Sequence, residues 1–252
     1  MTTKTAVVSG GSSGIGASVC QHLLDADYHV ISLARRPPTF EHDNLGHYLV
    51  DLMDLEATQD VAKEIAANYD VTTVVNNAGV TRSKPLEEVE LSDLSELTNL
   101  HVGSALILVQ SFLPAMKEAN FGRIVNMSTR AILGLSTRTV YSGTKAALVS
   151  ITRTWAMELG RHGITVNAVA PGPITSTEMF TSVIPEGSEM ESAVAAVIPA
   201  GRVGRPDDVA RATMFFLDPA NDFITGQLMF VCGGSSMGSL IDGGIAKALS
   251  ND

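Results

Sequence analysis

Short runs of β-branched and other apolar residues recur along this chain and alternate with stretches of helical period. The runs fall at 5–9, 29–33, 47–50, 73–76, 123–127, 165–170 and 227–231, and the helical stretches at 15–24, 55–68, 91–118, 140–161 and 206–217. Several runs are apolar throughout and do not alternate with polar residues, the pattern of a parallel sheet covered on both faces. Strand–helix alternation with right-handed crossovers then predicts an α/β fold, a doubly wound (Rossmann) parallel sheet with helices on both faces. The chain has 252 residues, 45% hydrophobic, enough for one large core. No linker, low-complexity tract or repeat interrupts it, so one domain over 1–252 is expected. Such sheets bind ligands beyond the carboxyl ends of their strands, where strand order reverses.

Charge and cysteine content exclude several classes. The net charge is -10 with 17 dispersed basic residues, which argues against nucleic-acid binding. No apolar run approaches the roughly 20 residues of a membrane span, so no membrane association is expected. The first residues carry no secretory h-region, and only Cys20 and Cys232 are present. Neither a disulfide framework nor a cysteine zinc site is supported, no metal is expected, and a cytoplasmic location is.

The first run ends in Ser9-Gly10-Gly11-Ser12-Ser13-Gly14-Ile15-Gly16, and a helical stretch follows at once. Glycines let backbone N–H groups approach a phosphate, and the helix start favours an anion. A Gly-rich structural turn would look the same. The loop lacks the Lys-Ser/Thr of a triphosphate-binding loop. The second run leads into Arg35-Arg36, where an acid would favour NAD; guanidinium groups instead suit a 2′-phosphate. NADP(H) is therefore preferred over NAD(H). Asp51, after the third run, suits the adenine edge or a plain strand-end cap.

Asn76-Asn77-Ala78-Gly79 closes the fourth run with residues small enough to leave room for a ring and a ribose. Tyr141-Ser142-Gly143-Thr144-Lys145 opens a helical stretch, and positions four apart share a face. A cation beside a phenol lowers its pKa and makes it a usable acid/base. Ser128 ends the preceding run, where its hydroxyl suits a substrate oxygen or a cap.

In order and spacing, Gly10-x-x-x-Gly14-x-Gly16, Asp51, Asn77-Ala78-Gly79, Ser128, Tyr141-x-x-x-Lys145 and Pro171-Gly172-Pro173-Ile174-Thr175 resemble the short-chain dehydrogenase/reductase family. Ile224-Thr225-Gly226-Gln227 and Gly233-Gly234 extend the likeness, and Gly122-Arg123-Ile124-Val125-Asn126 resembles the 3-oxoacyl-[acyl-carrier-protein] reductase type. The resemblance implies that Tyr141 is the proton donor or acceptor, that Ser128 steadies the reacting oxygen, and that Lys145 holds the nicotinamide ribose. It further implies cofactor contacts from Gly10, Ser12, Ser13, Gly14, Ile15, Gly16, Asp51, Leu52, Asn77, Ala78, Gly79, Pro171, Gly172, Ile174 and Thr175. The substrate would be a small carbonyl compound or alcohol. Dimers or tetramers would form through the stretches 91–118 and 140–161 and the last strand.

The chain departs from that pattern twice. The family's relay asparagine falls at His101, with Asn99 nearby; a histidine that titrates near neutrality suits a proton relay, or packs on a helix face. The basic residue that often marks NADP use in the loop is Ser13 here. Residues 175–200 read as a partly apolar lid or a peripheral hairpin, and 241–252 as a tail. Arg130, Arg138, Arg82 and Lys84 are candidates to meet an anionic substrate or to be solvated. The resulting reading is an NADP(H)-dependent reductase or alcohol dehydrogenase. Its rivals are an NAD-dependent alcohol dehydrogenase and a weakly catalytic dinucleotide-binding sensor or scaffold.

Overall fold

The apolar runs form one parallel sheet in the computed structural model, which describes residues 4–237. The elements are β1 (Thr5–Ser9), α1 (Gly14–Asp25), β2 (His29–Ala34), β3 (Leu45–Leu49), α2 (Leu55–Asn68), β4 (Val71–Asn76), α3 (Leu91–Thr98) and α4 (Ser104–Glu118). They continue with β5 (Gly122–Met127), α5 (Thr139–Leu159), β6 (Ile164–Pro171), α6 (Glu178–Thr181), α7 (Glu189–Ala196), α8 (Pro206–Leu217) and β7 (Leu228–Val231). The sheet order is β3-β2-β1-β4-β5-β6-β7, and every pairing is parallel. The chain starts mid-sheet, runs outward to β3, and returns to β4 on the other side of β1. Strand order therefore reverses between β1 and β4, and a crevice opens above their carboxyl ends.

Each face of the sheet has its own core. Val7, Ile31, Leu33, Val74, Ile124 and Val166 pack against Leu108, Phe112 and Met116 of α4. Their neighbours Ala6, Val8, Val30, Val75, Val125 and Val169 pack against Val19 and Leu23 of α1 and Val209 and Phe216 of α8. Successive strand residues point to opposite faces, so two covered faces require the unbroken apolar runs. At about 1.5–3 kcal/mol per large apolar side chain fully buried, these two layers dominate the stability of the fold.

Two expectations change. The third strand begins earlier, at Leu45, because its register is set by pairing with β2 from Val30↔Leu45 onward. It is an edge strand, and Leu49 at its end is 59% exposed, so its apolar content marked its bounds poorly. The stretch 91–118 is one continuous helical run, but a π-helical turn at Asn99–Gly103 separates α3 from α4. That run is long and apolar enough to cross a bilayer by length and composition, contrary to the expectation that nothing is. Its Leu97, Leu108, Phe112 and Met116 are fully buried, so the apolarity serves the interior of the fold. The tail 241–252 lies outside the described residues.

Candidate active site

The crevice floor is backbone held by side chains. Asn77 Nδ2 donates to the carbonyl oxygens of Ser9 at 3.0 Å and Gly10 at 3.2 Å. Ser9 Oγ in return accepts the backbone N–H groups of Asn77 at 2.9 Å and Ala78 at 3.0 Å. These bonds weld the loop after β1 to the loop after β4. A Cβ on Gly16 would lie 2.0 Å from the Gly10 carbonyl oxygen and 2.6 Å from Asn77 Nδ2, so only glycine lets α1 approach the loop this closely. The N-cap residue Ser13 makes no side-chain cap bond, which leaves first-turn N–H groups of α1 available to an anion. Ser9 escaped the motif reading because a serine before a glycine loop carries no spacing signal of its own.

A cavity of about 1190 Å³ extends from this cradle in both directions. Gly10, Ser12, Ser13, Gly14, Ile15 and Gly16 line its middle, with Asn77, Ala78 and Gly79 opposite. Arg35, Arg36, Asp51 and Leu52 line one end. Asp51 Oδ1 also accepts the Met53 N–H at 3.0 Å, so it caps its turn and faces the cleft at once. Arg36 forms an ion pair with Glu178 of α6. Pro171, Gly172 and Ile174 line the other end. Thr175 does not; its hydroxyl is buried without a partner beside the cleft, and Pro173 and Thr177 take that stretch of wall. Residues of α6, α7 and their flanks, among them Met179, Phe180, Val183, Ile184 and Val194, cover the cavity.

Ser128, Tyr141 and Lys145 meet at this second end. Ser128 follows β5, while Tyr141 and Lys145 lie one turn apart on α5. Lys145 Nζ donates to the Met127 carbonyl at 2.8 Å, and Ser128 Oγ donates to the Lys145 carbonyl at 2.9 Å. Burial pushes the Lys145 ammonium down to about 7. Burial likewise holds the Tyr141 phenol above its ordinary range, with Thr129 and the Arg138 charge pulling the other way. The expected acidification of the phenol by Lys145 does not appear: desolvation of Tyr141 is the largest influence, and the groups that oppose it are Thr129 and Arg138.

His101, brought inward by the π-helical turn, is 2% exposed and packs edge-on to the Tyr141 ring. Its Nδ1 lies 2.9 Å from Thr144 Oγ1. The Thr144 hydroxyl also reaches the helix carbonyls of Val140 and Tyr141, and the Val80 carbonyl favours a ring N–H facing it, so either ring nitrogen can carry the proton of the neutral imidazole. A Cβ on Gly79 would lie 3.1 Å from His101 Nε2 and 3.2 Å from Lys145 Nζ, so both groups close on the same glycine. Asn99 instead donates to the Met53 carbonyl at 3.3 Å. His101 therefore takes the place beside Lys145 and Asn99 does not. Burial and the nearby lysine hold the imidazole down to about 2, which corrects the expectation that it titrates near neutrality.

Below these groups lies a ladder of buried amides that the motif reading passed over. Asn76 Nδ2 donates to Asn126 Oδ1 at 2.7 Å, and Asn126 Nδ2 donates to Thr152 Oγ1 at 2.9 Å, tying β4, β5 and α5 together. Two of the flagged cations leave the candidate list: Arg82 pairs with Glu96 and Lys84 with Asp93.

The cradle, the welded glycine loop and the two arginines at the far end fit a dinucleotide. Known proteins agree. The family profile described as enoyl-(acyl carrier protein) reductase matches residues 10–236. A (2S)-[(R)-hydroxy(phenyl)methyl]succinyl-CoA dehydrogenase subunit of Thauera aromatica is 33% identical over 244 residues, 93% of this chain and 97% of that protein. A 3-oxoacyl-[acyl-carrier-protein] reductase of Rickettsia bellii is 30% identical over 240 residues, 93% and 97% of the two chains. The solved structure of ElxO with NADP bound superposes with a TM-score of 0.83 at 30% identity, covering 92% of this chain and 98% of that one.

Proposed function

Because this chain belongs to the short-chain dehydrogenase/reductase family and is an NAD(P)-dependent oxidoreductase, we propose that it works with NADP(H) on a carbonyl/secondary-alcohol pair, with Tyr141 as the general acid/base. The observation that carries this reading is the placement of Tyr141, Ser128 and Lys145 at one end of a cavity whose middle is the glycine cradle and whose far end is Arg35 and Arg36.

Residues at the adenosine end and in the cradle would hold the dinucleotide: Arg35 and Arg36 at the 2′-phosphate, and the first turn of α1 at the pyrophosphate. When bound, the reduced cofactor supplies the hydride. In the reductive direction Tyr141 gives its proton to the carbonyl oxygen as that oxygen gains negative charge. A phenol held protonated by burial suits this direction near neutrality. Ser128 turns its proton from the Lys145 carbonyl to the same oxygen and steadies it. Lys145, which exchanges its proton near neutrality, resupplies the phenolate. His101, beside Lys145 at Gly79, supplies a neutral ring through which a proton can reach the lysine. α6 and α7 form a lid that keeps water from the reacting carbon. We also read the exposed Leu106 and Met157 on α4 and α5, with Phe223 before the β7 edge, as contacts of a homo-oligomer; light scattering tests that.

The test of the chemistry is consumption of NADPH with a panel of ketones. Tyr141→Phe is expected to lower turnover by about 10²–10⁴-fold while NADPH affinity stays within about twofold. Undiminished turnover in Tyr141→Phe overturns the assignment.

A further inference from the structure

The four cations singled out in the sequence divide into two pairs. Arg82 and Lys84 are neutralised by Glu96 at 2.7 Å and Asp93 at 2.8 Å. Arg130 and Arg138 are not: among the described residues neither has a carboxylate within salt-bridge reach, although acids outnumber bases in this chain by 27 to 17. Both are half-buried and both line the cavity that holds Tyr141, whose phenol feels the Arg138 charge. Their hydrogen bonds go to uncharged oxygens. Arg130 reaches the Ser235 carbonyl at 3.5 Å, and Arg138 reaches Thr137 Oγ1 at 2.9 Å and the Thr137 carbonyl at 3.4 Å. A guanidinium has five N–H donors, so most of each fork is uncommitted. The one carboxylate on the covering segment that lines the cavity, Glu178, is held at the adenosine end by Arg36. Beside the polar Ser128, Thr129, Tyr141 and Ser235, the same cavity is lined by the apolar Leu135, Met179, Phe180 and Val183. Half-buried guanidinium groups in apolar surroundings gain most from a carboxylate, which they bind with paired, charge-assisted hydrogen bonds.

We propose that Arg130 and Arg138 form an anion subsite, and that the substrate is an oxo- or hydroxy-carboxylate with an apolar body whose carboxylate rests on these two side chains while its carbonyl or hydroxyl meets Tyr141 and Ser128. The proposal rests on the oxidoreductase reading above and adds the substrate class to it. Two charges at one end of an apolar chamber also orient the substrate, since only one end of such a molecule is anionic.

The test is calorimetric binding to the NADP⁺-loaded protein, using straight-chain oxo acids of five to eight carbons with the ketone next to the terminal methyl. Each acid is compared with its methyl ester. At least one acid is expected to bind about tenfold or more tightly than its ester. Arg130→Gln and Arg138→Gln each reduce that advantage and leave the ester within about twofold, and Arg138→Lys restores part of it. Equal binding of acid and ester, or equal weakening of both in the variants, overturns the subsite. Tighter binding of acetoacetyl-CoA than of every free acid, lost in Arg138→Gln, puts the anion on the thioester's phosphates and overturns the carboxylate assignment. Reduction of the esters with NADPH reports separately on the chemistry. Esters reduced without any advantage for acids sink the subsite alone, and acids bound selectively without reduction sink the reductase reading alone.

Discussion

The two halves of the cleft are built by opposite means. The cradle is backbone: the loop after β1, the start of α1 and the loop after β4, fastened by Ser9 and Asn77. The chamber beneath α6 and α7 is side chain: Met179, Phe180 and Val183 above, Arg130 and Arg138 beside them. A backbone cradle tolerates almost no change at its contact points but serves any molecule with the same phosphates. A side-chain chamber accepts substitutions and redefines its ligand with each one. The comparison explains how one sheet keeps its cofactor while its substrate is set by segments elsewhere in the chain.

The sharpest way to break this contrast is to place a side chain where the cradle allows none. Gly16→Val puts carbon atoms within contact of the Gly10 carbonyl, where even a Cβ would lie 2.0 Å away. Overpacking of this kind costs about 1–3 kcal/mol or more, and it falls on the surface proposed to meet the pyrophosphate. NADPH affinity is expected to fall by about 100-fold or more, read by fluorescence titration. Phe180→Ala, across the cleft, is the control: it should leave NADPH affinity within about threefold and raise the KM of the ketone. If both variants lose the cofactor equally, the two halves are not distinct in the way described.

The reacting end joins the two halves, and His101 is its most testable part. Held down to about 2, the imidazole stays neutral over the working range of pH. A neutral ring contributes hydrogen bonds and packing but no titrating charge, so its loss should scale the whole pH profile down without moving either limb. His101→Ala is expected to lower turnover about tenfold, toward the weak end of the range for proton-transfer groups, with NADPH affinity unchanged. Unchanged turnover across pH removes His101 from the relay, and a shifted limb shows that it titrates after all.

Lys145 gives a smaller signal that can still be measured. In the free protein its ammonium titrates at about 7 because of burial, so at pH 8 the side chain is mostly neutral. A bound pyrophosphate, being anionic, favours the charged lysine and raises its pKa. Cofactor binding at pH 8 should therefore take up a fraction of a proton at Lys145, whereas at pH 5 the lysine contributes none, because it is already charged there. Calorimetry in two buffers of different ionisation enthalpy measures the uptake, and Lys145→Met should abolish it.

How legible each part was in the sequence follows from the same contrast. The spacing of Gly10, Gly14 and Gly16, the Asn77-Ala78-Gly79 turn and the Tyr141–Lys145 pair were readable because backbone geometry and helical period impose fixed spacings. Ser9, the Asn76–Asn126–Thr152 ladder and Thr144 were not, because their partners lie 26 to 69 residues away or, for Thr144, on another helix. The π-helical turn at Asn99–Gly103 left the apolar period of 91–118 almost intact, so the choice between Asn99 and His101 needed the three-dimensional arrangement. Thr175 was carried along by its neighbours in Pro171–Ile174, yet a bridge between Ile174 and Gly204 turns it off the cleft wall. Whether a given arginine has an acid partner was invisible in the same way: Arg82 and Arg130 look alike until Glu96 is found beside only one of them.

The finest adjustment of the comparison lies where the covering segment touches the adenosine end. Glu178, the first residue of α6, holds Arg36 in an ion pair with both side chains more than half exposed. In the proposed reading Arg36 is also one of the two groups that would meet a 2′-phosphate, and a guanidinium cannot give its fork fully to a carboxylate and a phosphate together. Glu178 therefore competes with the phosphate and adds like-charge repulsion to it. An exposed pair of this kind is worth about 0.2–1 kcal/mol, so Glu178→Gln should tighten NADPH about two- to fivefold. NADH carries no 2′-phosphate and should bind with unchanged affinity, which makes the ratio of the two dissociation constants the quantity to measure. Equal tightening of both cofactors would mean that Glu178 acts by holding α6 over the cleft rather than by occupying Arg36. In that case the covering segment, and not the charge at the far end, would set how readily the cradle is reached.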